Sequence, residues 1–429
     1  MKATIEPGNI NGAIKATPSK SMTQRAYAAA LLHKGKTIIY HAGSSEDENA
    51  ALHIIQQLGA KLLDTDLPIL ESGAILSVTS NGVYPVSKTI NCGESGLAAR
   101  LFTPIAALSN EAITIEGTGS LLQRQMTGIE DALGQLTVSI QGFNGHLPLT
   151  VNGPIVPGNL QINAEDGSQL LSGLLFALSS CAIKPVTIKV SGLKSSPYID
   201  MTLDVLKVFG RPVEHTDYKE FRINPATFSH NENIEITIEG DWSSAAAMLV
   251  AGAVAGQVTI QNLNINSKQA DRAILDVLET AGAVVVIEGD SVSVKRSPLR
   301  SFDFDATHCP DLFPVLSILA ACCNGDSTIT GVHRLFNKES NRAESISEML
   351  MSFDVPYSIE DDALCIRGVR KLQGTVIDSF HDHRIVMAAA IGALRAGSRV
   401  DILNAESVNK SYPGFFADLS LCGGNCKLA

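Results

Sequence analysis

The sequence predicts a two-lobed, inside-out α/β barrel fold, built from six repeats of about 72 residues whose helices are buried and whose sheets face outward. Two observations support this prediction. A helix followed by a β-branched strand recurs six times along the 429 residues, and the recurring helices carry little charge on any face. Because a helix that is apolar all round is normally buried on every side, the sheets are left to face the solvent.

The repeat is visible in two independent sets of positions. The six helical segments begin just after polar residues spaced 68 to 75 residues apart, namely Ser21, Ser95, Ser168, Ser243, Asp311 and His383. The strands that follow share a marker spaced 69 to 77 residues apart, at Thr37, Thr114, Thr187, Thr259, Thr328 and Asp401. Since both sets have one period, we group the repeats as three plus three.

The composition of the repeat helices indicates close packing. Residues 243–256 consist of Ser, Ala, Gly, Val, Leu and Met, and residues 312–323 and 385–394 are similarly uncharged. Small side chains allow such helices to approach one another closely, so each lobe can hold its helices in one interior core.

The charge and the cysteine pattern exclude several classes of protein. A formal net charge of −11 argues against a general nucleic-acid binder. No apolar run reaches the roughly 18 residues of a membrane span, and the first residues lack a signal segment, so we expect a cytoplasmic protein with no membrane partner. The eight cysteines have no zinc-like spacing, and His381 and His383 lack a third ligand, so we expect no metal.

Cations close to the predicted helix starts suggest a function. Lys20 and Arg25 flank the start of the first helix, Arg384 lies at the last, and Lys338 and Arg342 are four residues apart, as in a helical phosphate clamp. Backbone N–H groups at helix N-termini also favour anions. We therefore expect an interlobe cleft for a polyanionic ligand. The alternative is that the polar residues are simple helix caps.

Five motifs together give the chain a family resemblance. They are Pro18-Ser19-Lys20-Ser21, Pro197-Tyr198-Ile199-Asp200, Glu239-Gly240-Asp241 before Ser243-Ser244-Ala245, Lys338-Glu339-Ser340 before Arg342, and Asp382-His383-Arg384. With these motifs the chain resembles the 5-enolpyruvylshikimate-3-phosphate synthase family of enolpyruvyl transferases from end to end. The resemblance implies one lobe at residues 19–238 and a discontinuous second lobe at residues 1–18 plus 239–429.

The resemblance also implies a reaction. The enolpyruvyl group of phosphoenolpyruvate would pass to the 5-hydroxyl of shikimate 3-phosphate by addition and elimination, with release of phosphate. No metal or organic cofactor is implied. The implied partners are these two small molecules, and we expect a monomer.

The resemblance assigns candidate roles to residues of this sequence. For phosphoenolpyruvate binding these are Lys20, Gly96, Arg124, Gln169, Arg342, Arg384 and Lys410. For shikimate 3-phosphate binding they are Lys20, Ser21, Arg25, Ser168, Gln169, Ser195, Tyr198, Asp311 and Lys338. The implied catalytic residues are Lys20, Asp311, Glu339 and His383. Among them, Asp311 would help to deprotonate the 5-hydroxyl, and Lys20 and Glu339 would transfer protons. Glu94 stands where many members of the family have Asn.

Three alternatives remain open from the sequence. Enolpyruvyl transferases acting on UDP-N-acetylglucosamine typically carry a reactive Cys in the loop that holds Arg124, whereas residues 117–128 contain none. RNA-terminal phosphate cyclases share related repeats, but the sequence has no nucleotide-binding motif. A non-catalytic anion-binding relative would have little reason to keep Lys20, Asp311, Glu339 and His383 together.

Overall fold

The computed structural model describes residues 1–63, 74–143, 145–225 and 233–429. The chain divides into two compact units. The central unit is Pro18–Glu239, and the terminal unit combines Met1–Thr17 with Gly240–Ala429. The lobe boundaries expected from the sequence lie one residue away from these.

The α-helices of the described ranges are α1 (Lys20–Leu32), α2 (Glu46–Gln57), α3 (Gly96–Ala106), α4 (Ile129–Gly134), α5 (Gln169–Cys181), α6 (Pro197–Val208), α7 (Trp242–Ala255), α8 (Ile274–Thr280), α9 (Phe313–Ala321), α10 (Arg342–Ser352), α11 (His383–Ala393) and α12 (Phe415–Leu421). Short 3₁₀ helices are formed by Gly119–Gln123, Ala270–Ala273, Pro310–Leu312, Val332–Arg334 and Ala405–Lys410.

The strands are β1 (Lys2–Glu6), β2 (Ile10–Lys15), β3 (Gly35–Ala42), β4 (Lys61–Leu63), β5 (Ala74–Ser80), β6 (Thr89–Asn91), β7 (Ala112–Glu116), β8 (Ser139–Phe143), β9 (His146–Asn152), β10 (Leu160–Asn163), β11 (Val186–Ser191), β12 (Val213–Thr216), β13 (Glu220–Ile223), β14 (Ile234–Thr237), β15 (Gly256–Gln261), β16 (Val284–Glu288), β17 (Ser291–Lys295), β18 (Asp303–Asp305), β19 (Asp326–Thr330), β20 (Tyr357–Glu360), β21 (Ala363–Arg367), β22 (Val376–Asp378), β23 (Val400–Leu403) and β24 (Asn425–Leu428).

The described strands of each unit form three four-stranded sheets of one design. In the central unit the orders are β14-β3-β5-β4, β6-β7-β9-β8 and β10-β11-β13-β12. In the terminal unit they are β2-β15-β17-β16, β18-β19-β21-β20 and β22-β23-β1-β24. The first two strands of every sheet run parallel, and the remaining pairs are antiparallel. The six sheets confirm the predicted repeat.

Each predicted helix precedes its predicted strand, as α1–β3, α3–β7, α5–β11, α7–β15, α9–β19 and α11–β23. The helix predicted at residues 312–323 starts later than expected. Residues 310–312 form a 3₁₀ turn, and the α-helix begins only at Phe313. Pro314 lies in the first turn of α9, where its missing N–H costs no helical hydrogen bond.

The uncharged helices are buried as expected. Every residue of α7 except Ser243 is buried. At Gly173 on α5, an added Cβ would lie 2.6 Å from the carbonyl oxygen of Leu101 on α3, so the two backbones touch there. The strands alternate instead, and β11 buries Val186 and Ile188 while it exposes Lys189. Helices therefore form the interior of each unit, and each sheet keeps one wet face.

In the part of the chain that the structure describes, no helix combines the length and the apolar character that crossing a bilayer requires.

Candidate active site

The N-terminal end of α1 is held by a fully buried arginine. Arg25 is 1% exposed, and its Nε donates to Thr202 Oγ1 on α6 at 2.9 Å. Its Nη1 donates to Ser21 O at 2.8 Å and its Nη2 to Tyr198 O at 3.2 Å. Burial lowers the pKa of Arg25 to about 10, so it still carries its charge at neutral pH. Arg25 thus joins two predicted site residues, Ser21 and Tyr198, through their backbone carbonyls.

Lys20, the first residue of α1, pairs with a carboxylate that the sequence analysis did not identify. Its Nζ lies 2.8 Å from Asp47 Oδ2 in the first turn of α2. The start of α2 is fixed by a capping box, in which Ser45 accepts from Glu48 N and the Glu48 carboxylate accepts from Ser45 N. Because the cap fixes the helix start, it also fixes where Asp47 presents its charge to Lys20.

Arg124 packs against a glycine at the start of α3. A Cβ added to Gly96 would lie 2.6 Å from Arg124 Nη1 and 2.8 Å from its Cζ, so a larger residue would force the guanidinium to shift. The 3₁₀ segment just before Arg124 is tied down by Glu94, whose Oε2 accepts from Ser120 N at 3.0 Å and Ser120 Oγ at 2.8 Å. Glu94 therefore stabilises the loop that carries Arg124.

Gln169 reaches the same loop through an arginine that sequence reasoning missed. Arg100 Nη1 lies 3.5 Å from Gln169 Oε1 and 3.2 Å from Gly96 O, while its Nη2 donates to Gln125 O at 2.7 Å. Arg100 is one helical turn after Gly96 on α3, and that spacing was the signal available in the sequence.

Two serines border the ends of α5 and α6. Ser168 precedes α5 and makes no side-chain cap, and its carbonyl accepts from Ser172 Oγ at 3.0 Å. Ser195 is 5% exposed and has a φ of 58°, an unusual left-handed conformation for a serine. Tyr198 follows it on α6, whose first residue is Pro197. The predicted site residues of the central unit thus lie at the N-terminal ends of α1, α3, α5 and α6 and in the loop at Arg124.

In the terminal unit, Arg342 is surrounded by carboxylates. It is 1% exposed, and it donates to Asp311 at 2.7 Å, Glu339 at 2.5 Å and Asp382 at 2.9 Å. Burial opposes its charge, but the carboxylates of Asp382, Glu339 and Asp311 raise the pKa of Arg342 above its ordinary value. Three anionic partners make Arg342 a permanent cation inside the protein.

Asp311 collects three cations. Besides Arg342, Lys338 Nζ and Arg384 Nη2 each lie 3.7 Å from one of its oxygens. Burial disfavours its ionised form, yet the charges of Lys338, Arg384 and Arg342 hold the pKa of Asp311 well below its usual range. Asp311 is therefore an ionised carboxylate among cations that could instead neutralise a bound anion.

The expected helical spacing of Lys338 and Arg342 was wrong. The helix α10 begins at Arg342, and residues 338–341 form a non-helical segment before it. The two side chains still meet, because both reach the carboxylate of Asp311. Burial lowers the pKa of Lys338 to about 8, against the raising effect of Asp311.

The remaining predicted residues lie around the start of α11. Asp382 caps this helix by accepting from Arg384 N at 2.9 Å. His383 is its first residue and is 2% exposed. Lys410 Nζ donates to His381 O at 2.8 Å. The terminal unit thus brings Lys338, Glu339, Arg342 and Arg384 together around Asp311, with Lys410 bonded just before the start of α11.

Over the described residues, the structure contains no group of three or more His, Cys, Asp or Glu side chains arranged to hold a metal ion.

Comparisons with known proteins identify the family of the chain. A family model described as EPSP synthase (3-phosphoshikimate 1-carboxyvinyltransferase) matches residues 5–419. A 3-phosphoshikimate 1-carboxyvinyltransferase of Clostridium novyi is 33% identical over 98% of this chain and 97% of its own length. One from Methanocorpusculum labreanum is 33% identical over the whole of both chains.

Solved structures share the fold. The EPSP synthase of Acinetobacter baumannii superposes with a TM-score of 0.81 at 23% identity and covers all of both chains. The enolpyruvyl transferase NikO from Streptomyces tendae gives a TM-score of 0.78 at 17% identity, over 99% of this chain and 98% of its own. The match of the family model over nearly the full length, together with relatives at 33% identity, shows that the chain belongs to the EPSP synthase family.

Proposed function

We propose that the chain transfers the enolpyruvyl group of phosphoenolpyruvate to the 5-hydroxyl of shikimate 3-phosphate and releases phosphate. Membership of the EPSP synthase family supports this activity. The structural observation that carries the proposal is the Asp311 carboxylate, which lies 2.7 Å from Arg342 and 3.7 Å from both Lys338 and Arg384. This grouping supports the proposal, because a carboxylate that could take the proton of a hydroxyl lies beside cations that could bind phosphate and carboxylate.

The charges of the substrates explain why so many cations are needed. Each substrate carries a phosphate and a carboxylate, and burying such anions without partners would be prohibitive. Guanidinium groups match the edges of both kinds of anion with paired hydrogen bonds. For phosphoenolpyruvate we propose Lys20, Gly96, Arg124, Gln169, Arg342, Arg384 and Lys410 as the binding residues. For shikimate 3-phosphate we propose Lys20, Ser21, Arg25, Ser168, Gln169, Ser195, Tyr198, Asp311 and Lys338.

The proposed chemistry balances protons in two steps. In the addition, Asp311 takes the proton of the 5-hydroxyl, and the hydroxyl oxygen bonds to C2 of the enol. Lys20 or Glu339 donates a proton to C3. In the elimination, the C–O bond to phosphate breaks, the residue that protonated C3 takes a proton back from C3 to restore the double bond, and Asp311 gives its proton to the departing phosphate. His383, at the first turn of α11, stays in the proposed catalytic set. Fixed cations stabilise the charge that develops on phosphate.

Ionisation of Asp311 fits the role of base in this scheme. Its cationic neighbours keep it ionised in the unliganded protein. When substrate anions attract Lys338 and Arg384, the carboxylate loses part of that stabilisation and becomes a stronger proton acceptor.

A phosphate-release assay tests the proposal. Purified protein is given both substrates together, then each alone, and then phosphoenolpyruvate with UDP-N-acetylglucosamine as the acceptor. We expect phosphate only with shikimate 3-phosphate and phosphoenolpyruvate together. Release with UDP-N-acetylglucosamine would favour the alternative transferase, and no release under any condition would favour a non-catalytic anion-binding protein.

A further inference from the structure

The N-terminal end of α7 is clamped by two nearby side chains. Gln269 Nε2 donates to Gly240 O at 2.8 Å, and its Oε1 accepts from Trp242 N at 2.9 Å. At the next residue, Ser243 Oγ donates to Oδ2 of Asp271. This second contact fixes one oxygen of the Asp271 carboxylate.

The other oxygen of Asp271 is uncommitted. The residue is 0% exposed, and its Oδ1 has no hydrogen-bond partner among the residues described. Burial and the charge of Asp311 raise the pKa of Asp271 to about 7, while Arg384 acts in the opposite direction. A buried carboxylate oxygen without a donor is costly, so its retention calls for an explanation.

Arg384 has a buried N–H group that lacks an acceptor in the described structure. Its side chain is 7% exposed, and its Nε is buried without an acceptor in the described part of the chain. Its Nη2 lies 3.7 Å from Asp311 Oδ2, which is too long for a hydrogen bond. Burial opposes ionisation of Arg384, but the charges of Asp311 and Asp271 raise its pKa. The donor Arg384 Nε and the acceptor Asp271 Oδ1 therefore both lack a hydrogen-bond partner in the described structure, although the two residues interact electrostatically.

Neighbouring carboxylates are already engaged elsewhere. Asp241 Oδ1 caps α7 by accepting from Ser244 N at 2.7 Å. Asp382 accepts from Arg342 Nε at 2.9 Å and from Ser340 Oγ at 3.1 Å. Asp271 differs from them in having a fully buried carboxylate oxygen without a hydrogen-bond partner in the described structure.

We propose that Asp271 is a positioning residue for Arg384. When a substrate anion draws the Nη groups of Arg384 away from Asp311, the Nε–H donates to Asp271 Oδ1 and orients the guanidinium toward the anion. The exchange also removes Arg384 from the cationic neighbours of Asp311, which makes that carboxylate a better acceptor for the hydroxyl proton. This inference deepens the proposed function and rests on it for the identity of the anion.

Kinetics of Asp271→Asn test the inference. The amide keeps the shape of the side chain and removes its charge, so we expect the KM for phosphoenolpyruvate to rise at least tenfold while the KM for shikimate 3-phosphate changes less than threefold. Ser243→Ala, which only loosens the carboxylate, should give a smaller rise with the same selectivity. Asp276→Asn removes an exposed carboxylate on α8 and serves as the matched control, with both constants unchanged.

A binding measurement separates failure of this inference from failure of the proposed function. Trp242, the only tryptophan of the chain, is fully buried beside Ser243 and gives an emission signal for titration with phosphoenolpyruvate. If the wild type shows no turnover, the proposed function fails, while a Kd at least tenfold weaker in Asp271→Asn still supports the role of Asp271. An equal Kd for phosphoenolpyruvate in the wild type and in Asp271→Asn overturns the proposed role of Asp271.

Thermal unfolding at pH 8 distinguishes positioning from a purely structural role. At that pH Asp271 is ionised and buried, so Asp271→Asn should melt at or above the temperature of the wild type. A lower melting temperature together with unselective kinetic losses would show that Asp271 only holds the fold, and it would overturn the inference.

Discussion

Lys20 Nζ donates to Asp47 Oδ2 at 2.8 Å, and the two side chains are only 16% and 10% exposed. The pair connects the first residue of α1 with the first turn of α2. Because a carboxylate accepts the hydrogen bond, the ammonium of Lys20 has a fixed position. In the proposed reaction Lys20 binds phosphoenolpyruvate from this fixed position.

Removing the partner of Lys20 should weaken the reaction. For Asp47→Ala we expect kcat/KM for phosphoenolpyruvate to fall roughly 10- to 100-fold, because a hydrogen bond to a charged group contributes about 1.5–3 kcal/mol. Steady-state phosphate release measures the change. Asp204→Ala removes an exposed carboxylate of the same unit on α6 and should leave kcat/KM within twofold. An Asp47 variant as active as this control would mean that Lys20 needs no anchor.

The two proposed proton-transfer residues should each be essential to turnover. For Lys20→Ala and Glu339→Gln we expect kcat to fall at least about 100-fold, the scale of positioned acid–base catalysis. Circular dichroism and melting temperature should stay close to the wild type. Lys34→Ala and Glu348→Gln change exposed residues and are the matched controls. Unchanged turnover in either site variant would remove its proposed role.

Most of the architecture was predictable because the same helix–strand pattern occurs six times in the sequence. Six helices with little charge and six β-branched strands at one spacing leave few arrangements that bury the helices, and the structure has one of them. Local boundaries were less predictable. The turn at Pro310–Leu312 and the late start of α10 at Arg342 depend on tertiary contacts, and Arg342 in particular bonds three carboxylates as its helix begins.

The candidate cations of the two units were easier to identify than their partners. Lys20, Arg342 and Arg384 belong to motifs at helix starts, so sequence reasoning found them. Asp47 and Asp271 have no such signal, because Asp47 is 27 residues from Lys20 and Asp271 is 28 residues from Ser243. Only the packing of helices and turns brings each carboxylate to its partner.

The contact between Gly96 and Arg124 should be sensitive to one methyl group. For Gly96→Ala the new Cβ would lie 2.6 Å from Arg124 Nη1, so the guanidinium must move. We expect the KM for phosphoenolpyruvate to rise at least fivefold, with a smaller change in the KM for shikimate 3-phosphate. Gly134→Ala on α4 is the control, because a Cβ there meets nothing within 4 Å. Equal KM values in the two variants would contradict a role for Arg124 in binding phosphoenolpyruvate.

Lys338 should give the reaction an alkaline limit. Burial lowers its pKa to about 8, so the ammonium loses its proton as the pH rises above that value and can no longer neutralise the phosphate of shikimate 3-phosphate. We expect the KM for shikimate 3-phosphate to be flat from pH 6 to 7.5 and to rise roughly tenfold by pH 9, measured by phosphate release. Lys338→Arg keeps its charge throughout this range because a guanidinium titrates far higher, and its KM should stay flat. An alkaline rise of the same size in both proteins would assign the titration to another group.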